Sequence, residues 1–142
     1  GHVRRFGLDP KIALCSDSQF GTLNNRSGNV MRAAMEILGS GYRDFSYDGE
    51  MHVDAALDAK VRDRVLQTTA SRFQGPANVL VFSSSDTALA VKNVLKARAK
   101  GLEVGPILMG MGNKAHVVTP SITARGLLNM SAIAGTPVAH YG

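Results

Sequence analysis

The stretch DGEMHVDAAL, residues 48–57, brings together side chains that can bind protons or metal ions. Asp48, Glu50, His52 and Asp54 stand within seven positions. Paired carboxylates in different environments can act as acid and base, and His52 with Asp54 could supply two ligands to a transition metal. The alternative is structural: Asp48 and Glu50 would bind loop amides, and Asp54 would lie at a helix start, where its charge favours the exposed N–H groups.

We adopt the structural interpretation for Asp48, Glu50 and Asp54. A calcium-binding EF-hand is excluded, because its loop needs a glycine at the sixth position, whereas Gly49 directly follows Asp48. A metal site on His52 and Asp54 would need further ligands that the sequence does not indicate. We therefore predict no metal site, and we expect the three carboxylates to brace a loop and to stabilise the helix that follows.

Three apolar segments have the composition of β-strands. They lie at 11–16, near 45–47 and at 79–82, and the last is expected to be buried on both faces. Helical patterns alternate with them along the chain. This alternation predicts an α/β fold with a mostly parallel sheet covered by helices on both faces, and a ligand site at the carboxyl ends of the strands.

Four helical segments are predicted between and after these strands. The first begins at Ser27 as N-cap and ends at Gly39, and the second runs through 57–73 with its charged face outward. The third follows Asp86 as a cap and continues to about residue 100, and the fourth follows the Thr119-Pro120 pair. The first helix carries an apolar stripe that should face the core, made of Val30, Met31, Ala34, Ile37 and Leu38.

Length and composition are typical of a soluble single-domain protein. The chain has 142 residues, 44% of them hydrophobic, so one domain over 1–142 is expected, with Gly1 and His2 interpreted as a tag remnant. No apolar run approaches the roughly 20 residues that cross a bilayer, and no signal peptide is recognisable, so we expect a cytoplasmic protein with no membrane partner. Cys15 lies in an apolar run and is expected to be a buried, inert thiol.

A net charge of +5 would suit an anionic partner, but the basic residues are scattered along the chain. Their one regular series, Lys92, Lys96 and Lys100, has the i, i+4 spacing of a solvent-exposed helix face. No zinc-ligand spacing, aromatic RNA-binding signature or recognition-helix pattern accompanies it. We expect no nucleic-acid partner, although a nucleic-acid-binding module stays open as an alternative.

Three segments together resemble the phosphate acetyl/butyryl transferase family: DGEMHVDAAL, GPANVLVFSSSDTALAVKNVLK and VGPILMGMGNKAHVV. They follow the order of the family, and they are more similar to the phosphotransacetylase-like C-terminal domain of bacterial NADP-dependent malic enzymes, which the closing NMSAIAG also resembles. The resemblance implies a three-layer α/β/α fold like that of isocitrate and isopropylmalate dehydrogenases. It further implies that the chain is the C-terminal half of such a domain, within a longer multidomain protein.

The resemblance also implies that the catalytic groups are lost. Active members use a Ser-Arg pair and an Asp, and the positions that match them here are Thr119, Pro120 and Gly126. Transacetylation needs a base for the CoA thiol proton and fixed cations or donors for the phosphate and the oxyanion. Proline has neither charge nor N–H, and glycine has no side chain, so we expect no catalytic residue in this chain.

A ligand cleft is nevertheless implied by the same resemblance. Loop segments and a helix start in the family's order offer backbone N–H groups and one cation where anions commonly bind. Taken singly, each is explained equally well as a turn or a strand end, so only their joint occurrence predicts the cleft. The residues expected to bind phosphate or an acyl-CoA are Ser16, Ser18, Gly21, Thr22, Asp86, Gly105, Gly110 and Lys114.

We therefore expect a non-catalytic regulatory and assembly domain that senses acetyl-CoA or a related acyl-CoA and has no cofactor of its own. The resemblance implies partners in the same parent chain, the malic and NADP-binding domains, which would convert malate to pyruvate with NADP and Mg²⁺ or Mn²⁺. It also implies a homo-oligomer. A second class stays open: a working phosphate acetyl- or butyryltransferase, in which other groups would replace the lost Ser-Arg pair and Asp.

Overall fold

The computed structural model describes residues 2–41, 44–67, 70–99, 102–109 and 115–136. They belong to two compact units, Gly1–Lys92 and Asn93–Gly142. The helices are α1 (His2–Arg5), α2 (Arg26–Gly41), α3 (Val53–Leu57), α4 (Ala59–Leu66), α5 (Ser85–Arg98) and α6 (Ala124–Gly135). The strands are β1 (Lys11–Cys15), β2 (Ser46–Met51) and β3 (Val79–Phe82).

The three strands form one parallel sheet in the order β2-β1-β3. The predicted α/β class and the parallel sheet are confirmed. In the register, Cys15 at the end of β1 lies beside both Met51 of β2 and Phe82 of β3. All three strands therefore end at the same edge of the sheet, and the segments that follow them emerge side by side.

The core of the first unit is built mainly from small side chains. Small residues let the strands and the helix after β2 approach closely, and larger side chains fill the space around them. Phe20, Val53, Val61, Leu80 and Phe82 are partly buried against this core. Its buried members are Ala13, Cys15, Met51, Ala55, Ala56, Phe73 and Ala77.

The acidic stretch that follows residue 47 begins inside a strand, not in a loop. β2 extends to Met51, so Asp48 and Glu50 are strand residues, and they are 5% and 1% exposed. Gly49 lies between them with φ +145°, and a Cβ there would stand 2.7 Å from the carbonyl oxygen of Leu14. Only glycine allows β1 and β2 to approach this closely.

The single helix predicted through 57–73 is wrong, because Asp58 divides the region. Asp58 ends α3 in an extended conformation, and its side chain accepts a hydrogen bond from the amide of Lys60, so that it caps α4. The chain leaves α4 at Gln67, where φ is +51°. A capping aspartate that can bind its own downstream amide favours a break over a continuous helix.

The prediction that the charged face of this region points outward fails at Arg62. This side chain is 1% exposed. Its guanidinium donates to the Ser71 hydroxyl and to the carbonyls of Ala55, Phe73 and Gly75, and it lies 4.5 Å from the centre of the Phe73 ring. Each nitrogen of the Arg62 guanidinium donates to an oxygen, so this charged side chain can be buried. It thereby supports segment 71–75.

The residues that cap two of the helices also differ from the predicted ones. Asn25, and not Ser27, accepts a hydrogen bond from the Gly28 amide at the start of α2. At the start of α5 the Ser84 hydroxyl accepts from the Thr87 amide, so Asp86 lies in the first turn instead of capping it. Each alternative cap is another small polar residue within two positions of the predicted one.

Three further expectations need correction. Of the apolar stripe on α2, Met31 is buried, whereas Val30 and Ile37 are 49% and 64% exposed. β3 is only partly buried, and its Val81 is 40% exposed, so the strand is not covered on both faces. The helix predicted after the Thr119-Pro120 pair begins later, at Ala124.

Candidate functional site

An open pocket of about 760 Å³ lies at the edge of the sheet where β1 and β3 end. This is the position at which ligands bind in open α/β sheets. Its walls come from the ends of both strands, the loop after β1, the first turns of α2 and α5, and the start of α3. The lining residues are Cys15, Ser16, Asp17, Arg26, Ser27, Val30, Val53, Phe82, Ser83, Ser84 and Thr87.

Hydroxyl groups dominate the polar part of this pocket. Ser27 at the start of α2 and Ser83 after β3 lie 3.1 Å apart, oxygen to oxygen, and so connect two walls. The hydroxyls of Ser84 and Thr87 lie 2.9 Å apart at the start of α5. Hydroxyls can donate to a bound anion as well as accept from each other, so this wall suits a phosphate or carbonyl oxygen.

Among the described residues that line the pocket, Arg26 is the one cation and Asp17 the one carboxylate. The Arg26 side chain is exposed, and its guanidinium makes no hydrogen bond or ion pair with the described parts of the chain. The one carboxylate of the lining, Asp17, instead accepts from the side chain of Asn25 at 2.9 Å. Arg26 therefore keeps its donors available for an anionic group.

The apolar part of the lining is chemically inert. It includes Val30, Val53, Phe82 and the 2% exposed Cys15. Burial raises the pKa of the Cys15 thiol to about 11, although a hydrogen bond with the backbone of Val81 opposes that rise. Since the thiolate is the reactive form, Cys15 is a packing residue and not a nucleophile.

Beside the pocket, Glu50 organises the loop between β1 and α2. Its Oε1 accepts from the Ser18 hydroxyl at 2.5 Å, from the Gly21 amide at 2.9 Å and from Nη1 of Arg32 at 2.6 Å. Its carbonyl oxygen accepts from the Phe20 amide at 2.7 Å. Burial by itself would raise the pKa of Glu50, but these hydrogen bonds and the Arg32 charge together hold it below its usual value.

Asp48 organises a different segment from the same strand. Its Oδ2 accepts from the Ser71 hydroxyl and from the Arg72 amide, both at 2.9 Å. Ser71 in turn accepts from Nε of Arg62. Asp48 thus supports segment 71–75, whereas Glu50 supports the loop beside the pocket, and both accept hydrogen bonds from backbone amides, the role assigned to them from the sequence.

Asp54 stands in the first turn of α3, and its carboxylate accepts from the Ala55 amide at 2.8 Å. The N-cap is His52, whose side chain makes no capping hydrogen bond. Nε2 of His52 instead lies 3.1 Å from the carbonyl oxygen of Asp17. Among the described residues, no three His, Cys, Asp or Glu side chains are grouped so that they could hold a metal ion.

The structure brings few of the residues predicted to bind a ligand into the pocket. Ser16 lines it, but Ser18 is fully buried in the Glu50 cluster, and the Gly21 amide is used by Glu50. Thr22 accepts from the Gln19 amide, and Asp86 is exposed outside the lining. Gly105 belongs to the second unit, and the predictions on Gly110 and Lys114 fall outside the described residues.

The three positions matched to the catalytic groups lie in the second unit. Thr119 Oγ1 is 3.2 Å from the Ser121 hydroxyl, and Pro120 lies in a turn. Gly126 lies in the first turn of α6, where its amide donates to the N-cap Thr123. A Cβ at position 126 would stand 2.8 Å from Cγ1 of Ile122, so the space for a longer side chain is taken.

Sequence reasoning missed the residues that matter most in this region. Arg26, Ser27 and Thr87 were not predicted to line a pocket, and Arg32 was not paired with Glu50. A signal existed for the ion pair, since a buried strand carboxylate needs a cation, but spacing alone could not select Arg32 over Arg26. One feature of the sequence indicated that Ser27 and Thr87 could line a pocket. They follow two strands whose carboxyl ends lie at the same edge of a parallel sheet.

Comparison with known proteins places this geometry in a family. Residues 1–135 match the family described as phosphate acetyl/butaryl transferase. The chain is 41% identical to an NAD-dependent malic enzyme of Rhizobium meliloti, covering 97% of this chain and 18% of that protein. It is 41% identical to an NADP-dependent malic enzyme of Salmonella typhimurium over 93% of this chain and 17% of that protein.

Other relatives are transferases. A phosphate acetyltransferase of Clostridium acetobutylicum is 29% identical over 89% of this chain and 37% of its own length. The structure of the EutD phosphotransacetylase from Staphylococcus aureus superposes with a TM-score of 0.78 at 24% identity, covering 93% of this chain and 41% of that one. The chain thus spans less than a fifth of the malic enzymes, matches their C-terminal region, and has the phosphotransacetylase fold. It belongs to the phosphate acetyl/butaryl transferase family.

Proposed function

We propose that this chain is a non-catalytic regulatory and assembly domain of a malic enzyme, and that it senses acetyl-CoA or a related acyl-CoA. The malic enzymes that it resembles contain the matching segment within a much longer chain, which supports a role beside other domains. Malate oxidation, NADP binding and the divalent metal would belong to other domains of that parent protein.

One observation carries the non-catalytic part of the proposal: the positions matched to the Ser-Arg pair and the Asp hold Thr119, Pro120 and Gly126. None of the three can accept a thiol proton or hold a phosphate by charge. Removing general acid–base catalysis alone typically lowers a rate by about 10²- to 10⁴-fold. Replacing Gly126 would not simply restore the acid, because Ile122 occupies the space beside it.

The pocket supports the acyl-CoA part of the proposal. A volume of about 760 Å³ falls within the size range of small-molecule sites. Its apolar wall, with Val30 and Phe82, suits a pantetheine arm or an acyl chain. Its hydroxyl wall and Arg26 suit a phosphate or a thioester carbonyl.

Exposed apolar side chains support the assembly part. On α6, Leu127 is 51% and Leu128 is 68% exposed. Adjacent exposed leucines on a helix are typical of surfaces that are covered by a partner. Light scattering of the intact protein, meaning the full-length parent chain that contains this domain, should therefore give a mass of at least twice the monomer. A monomer at all concentrations would count against assembly.

The binding experiment is calorimetric titration of the intact protein with acetyl-CoA. We expect saturable binding that weakens in Arg26→Ala, because a charge-assisted contact is lost, by roughly 10-fold. Arg64→Ala is the matched control, since Arg64 is exposed on α4 and does not line the pocket. Equal loss in both variants would show a general charge effect and not a site at Arg26.

The regulatory experiment measures malate oxidation by the intact protein with and without acetyl-CoA. An effector acts through its different affinity for two states, and coupling typically changes apparent affinity by about 5- to 150-fold. We expect a change in the apparent affinity for malate that is reduced in Arg26→Ala. Malate oxidation that does not change at saturating acetyl-CoA would contradict the sensing role.

A further inference from the structure

We propose that the cluster of the buried Glu50 and Ser18 with the half-buried Arg32, called the Glu50 clamp below, positions the ligand pocket without forming part of it. None of its three members lines the pocket. The cluster fixes the loop of residues 16–25 between β1 and α2. This inference rests on the proposed function in taking the pocket to be the acyl-CoA site.

The first step is that the clamp holds both halves of the loop. Glu50 accepts from the side chain of Ser18 and from the amide of Gly21. Ser18 Oγ accepts from the Leu23 amide at 3.1 Å, and Nη2 of Arg32 donates to the Leu23 carbonyl at 3.1 Å. The chain reverses at Phe20 and Gly21, with φ of +48° and +90°, and these bonds stabilise that uncommon conformation.

The second step is that the clamp also fixes the start of α2. A Cβ on the buried Gly28 would lie 3.0 Å from Cβ of Ser18 and 3.1 Å from Nη1 of Arg32. The first turn of α2 therefore packs directly on the clamp. Nη2 of Arg32 also donates to the Asn29 side chain at 2.5 Å.

The third step concerns what the loop carries at its two ends. Ser16 and Asp17 precede the clamped part, Arg26 and Ser27 follow it, and all four line the pocket. If the clamp opens, the two ends lose their common support, and the Ser27 hydroxyl is no longer held beside that of Ser83. The clamp members are thus positioning residues, because they act on a ligand through the loop.

The test compares two substitutions on the same strand of the intact protein. Glu50→Gln removes the clamp charge with little change in shape. Asp48→Asn makes the same chemical change at a carboxylate that is 5% exposed and supports segment 71–75 instead of the loop. Ser18→Ala is a milder clamp variant, for use if Glu50→Gln does not fold.

Hydrogen exchange, read by mass spectrometry, reports on the loop with no ligand present. We expect exchange in 18–27 to rise by roughly 10- to 100-fold in Glu50→Gln and to stay near wild type in Asp48→Asn, which should instead open 71–75. Equal opening of 18–27 in both variants, or none in Glu50→Gln, overturns the clamp.

Acetyl-CoA titration of the same samples then tests positioning. We expect Kd to rise by about 10-fold in Glu50→Gln and to change less than twofold in Asp48→Asn. An open loop with unchanged Kd overturns the positioning role. If the wild-type protein binds no acetyl-CoA, the proposed function is wrong, but the clamp can still be tested. Amide hydrogen exchange at residues 26 and 27 then decides whether the clamp holds the pocket wall.

Discussion

The strand edge of the first unit and the segment before α6 in the second unit differ in what they do with polar groups. At the strand edge, the buried carboxylates of Asp48 and Glu50 each accept several hydrogen bonds. In the segment before α6, Thr119 and Pro120, the positions that the resemblance matches to a catalytic pair, are exposed, and the hydroxyl of Thr123 caps the helix.

This difference implies that substitutions in the two regions have unequal costs in stability. Removing a buried carboxylate would leave several donors unpaired, which costs stability. Thr119 and Pro120 are exposed, and substitutions of exposed residues usually change stability by less than about 0.5 kcal/mol. The proposed loss of the reaction is therefore compatible with a retained pocket.

The largest effect in this comparison is expected at Gly49, where β2 approaches β1. Gly49→Ala places a Cβ 2.7 Å from the Leu14 carbonyl oxygen at a φ of +145°. We expect a loss of roughly 2–5 kcal/mol in the free energy of unfolding, from overpacking and backbone strain, measured by urea denaturation. Gly41→Ala, where a Cβ meets nothing within 4 Å, is the control and should change little. Similar values for both would contradict the close approach.

The next largest effect is expected for Glu50. Its folded-state pKa is lowered, so the unfolded chain binds the proton more readily. The stability that Glu50 contributes is present above the ordinary carboxyl pKa and is lost as pH falls through the lower folded pKa. Glu50→Gln should cost roughly 1.5–3 kcal/mol at pH 7 and flatten this acid decline. If the free energy of unfolding fell in parallel for the variant and the wild type from pH 7 to 3, this prediction would be wrong.

A smaller effect is expected in the second unit. Thr123 caps α6 by accepting from the Gly126 amide at 3.0 Å. Thr123→Ala should lower the free energy of unfolding by about 0.5–2 kcal/mol, whereas Thr123→Ser should keep most of it. Thermal melts of both variants test this, and equal losses would show that the methyl group and not the hydroxyl matters.

The smallest effect is expected for Asp54. It lies in the first turn of α3 and is exposed, but it is not the N-cap. Asp54→Ala should cost only about 0.3–1 kcal/mol through the helix dipole, less than Asp58→Ala, which removes the cap of α4. A larger loss at Asp54 than at Asp58 would reverse this ranking.

The sequence predicted the strands better than the helix ends, for a physical reason. β1 and β3 are short apolar runs bounded by polar segments, and a run of only five or four residues is long enough for a strand but too short for a helix. Helix starts depend on which of several small polar residues caps the first turn. The run NNRSGN offers several candidates around Arg26, and only packing selects Asn25.

The candidate site was less predictable, because it depends on contacts between distant segments. The Ser27 and Ser83 hydroxyls that meet across the pocket are 56 residues apart in the chain. The resemblance pointed to the loop after β1, yet of its residues Ser18 and Gly21 turned inward to Glu50. Arg62 shows the same limit, since no charge pattern reveals that a helical arginine is buried.

The most direct test of the central claim combines two measurements on one sample of the intact protein: acetyl-CoA binding, and acetyl transfer between acetyl phosphate and CoA. The account predicts saturable binding with no turnover above the protein-free background. Turnover comparable with that of the phosphate acetyltransferases that the chain resembles would contradict it.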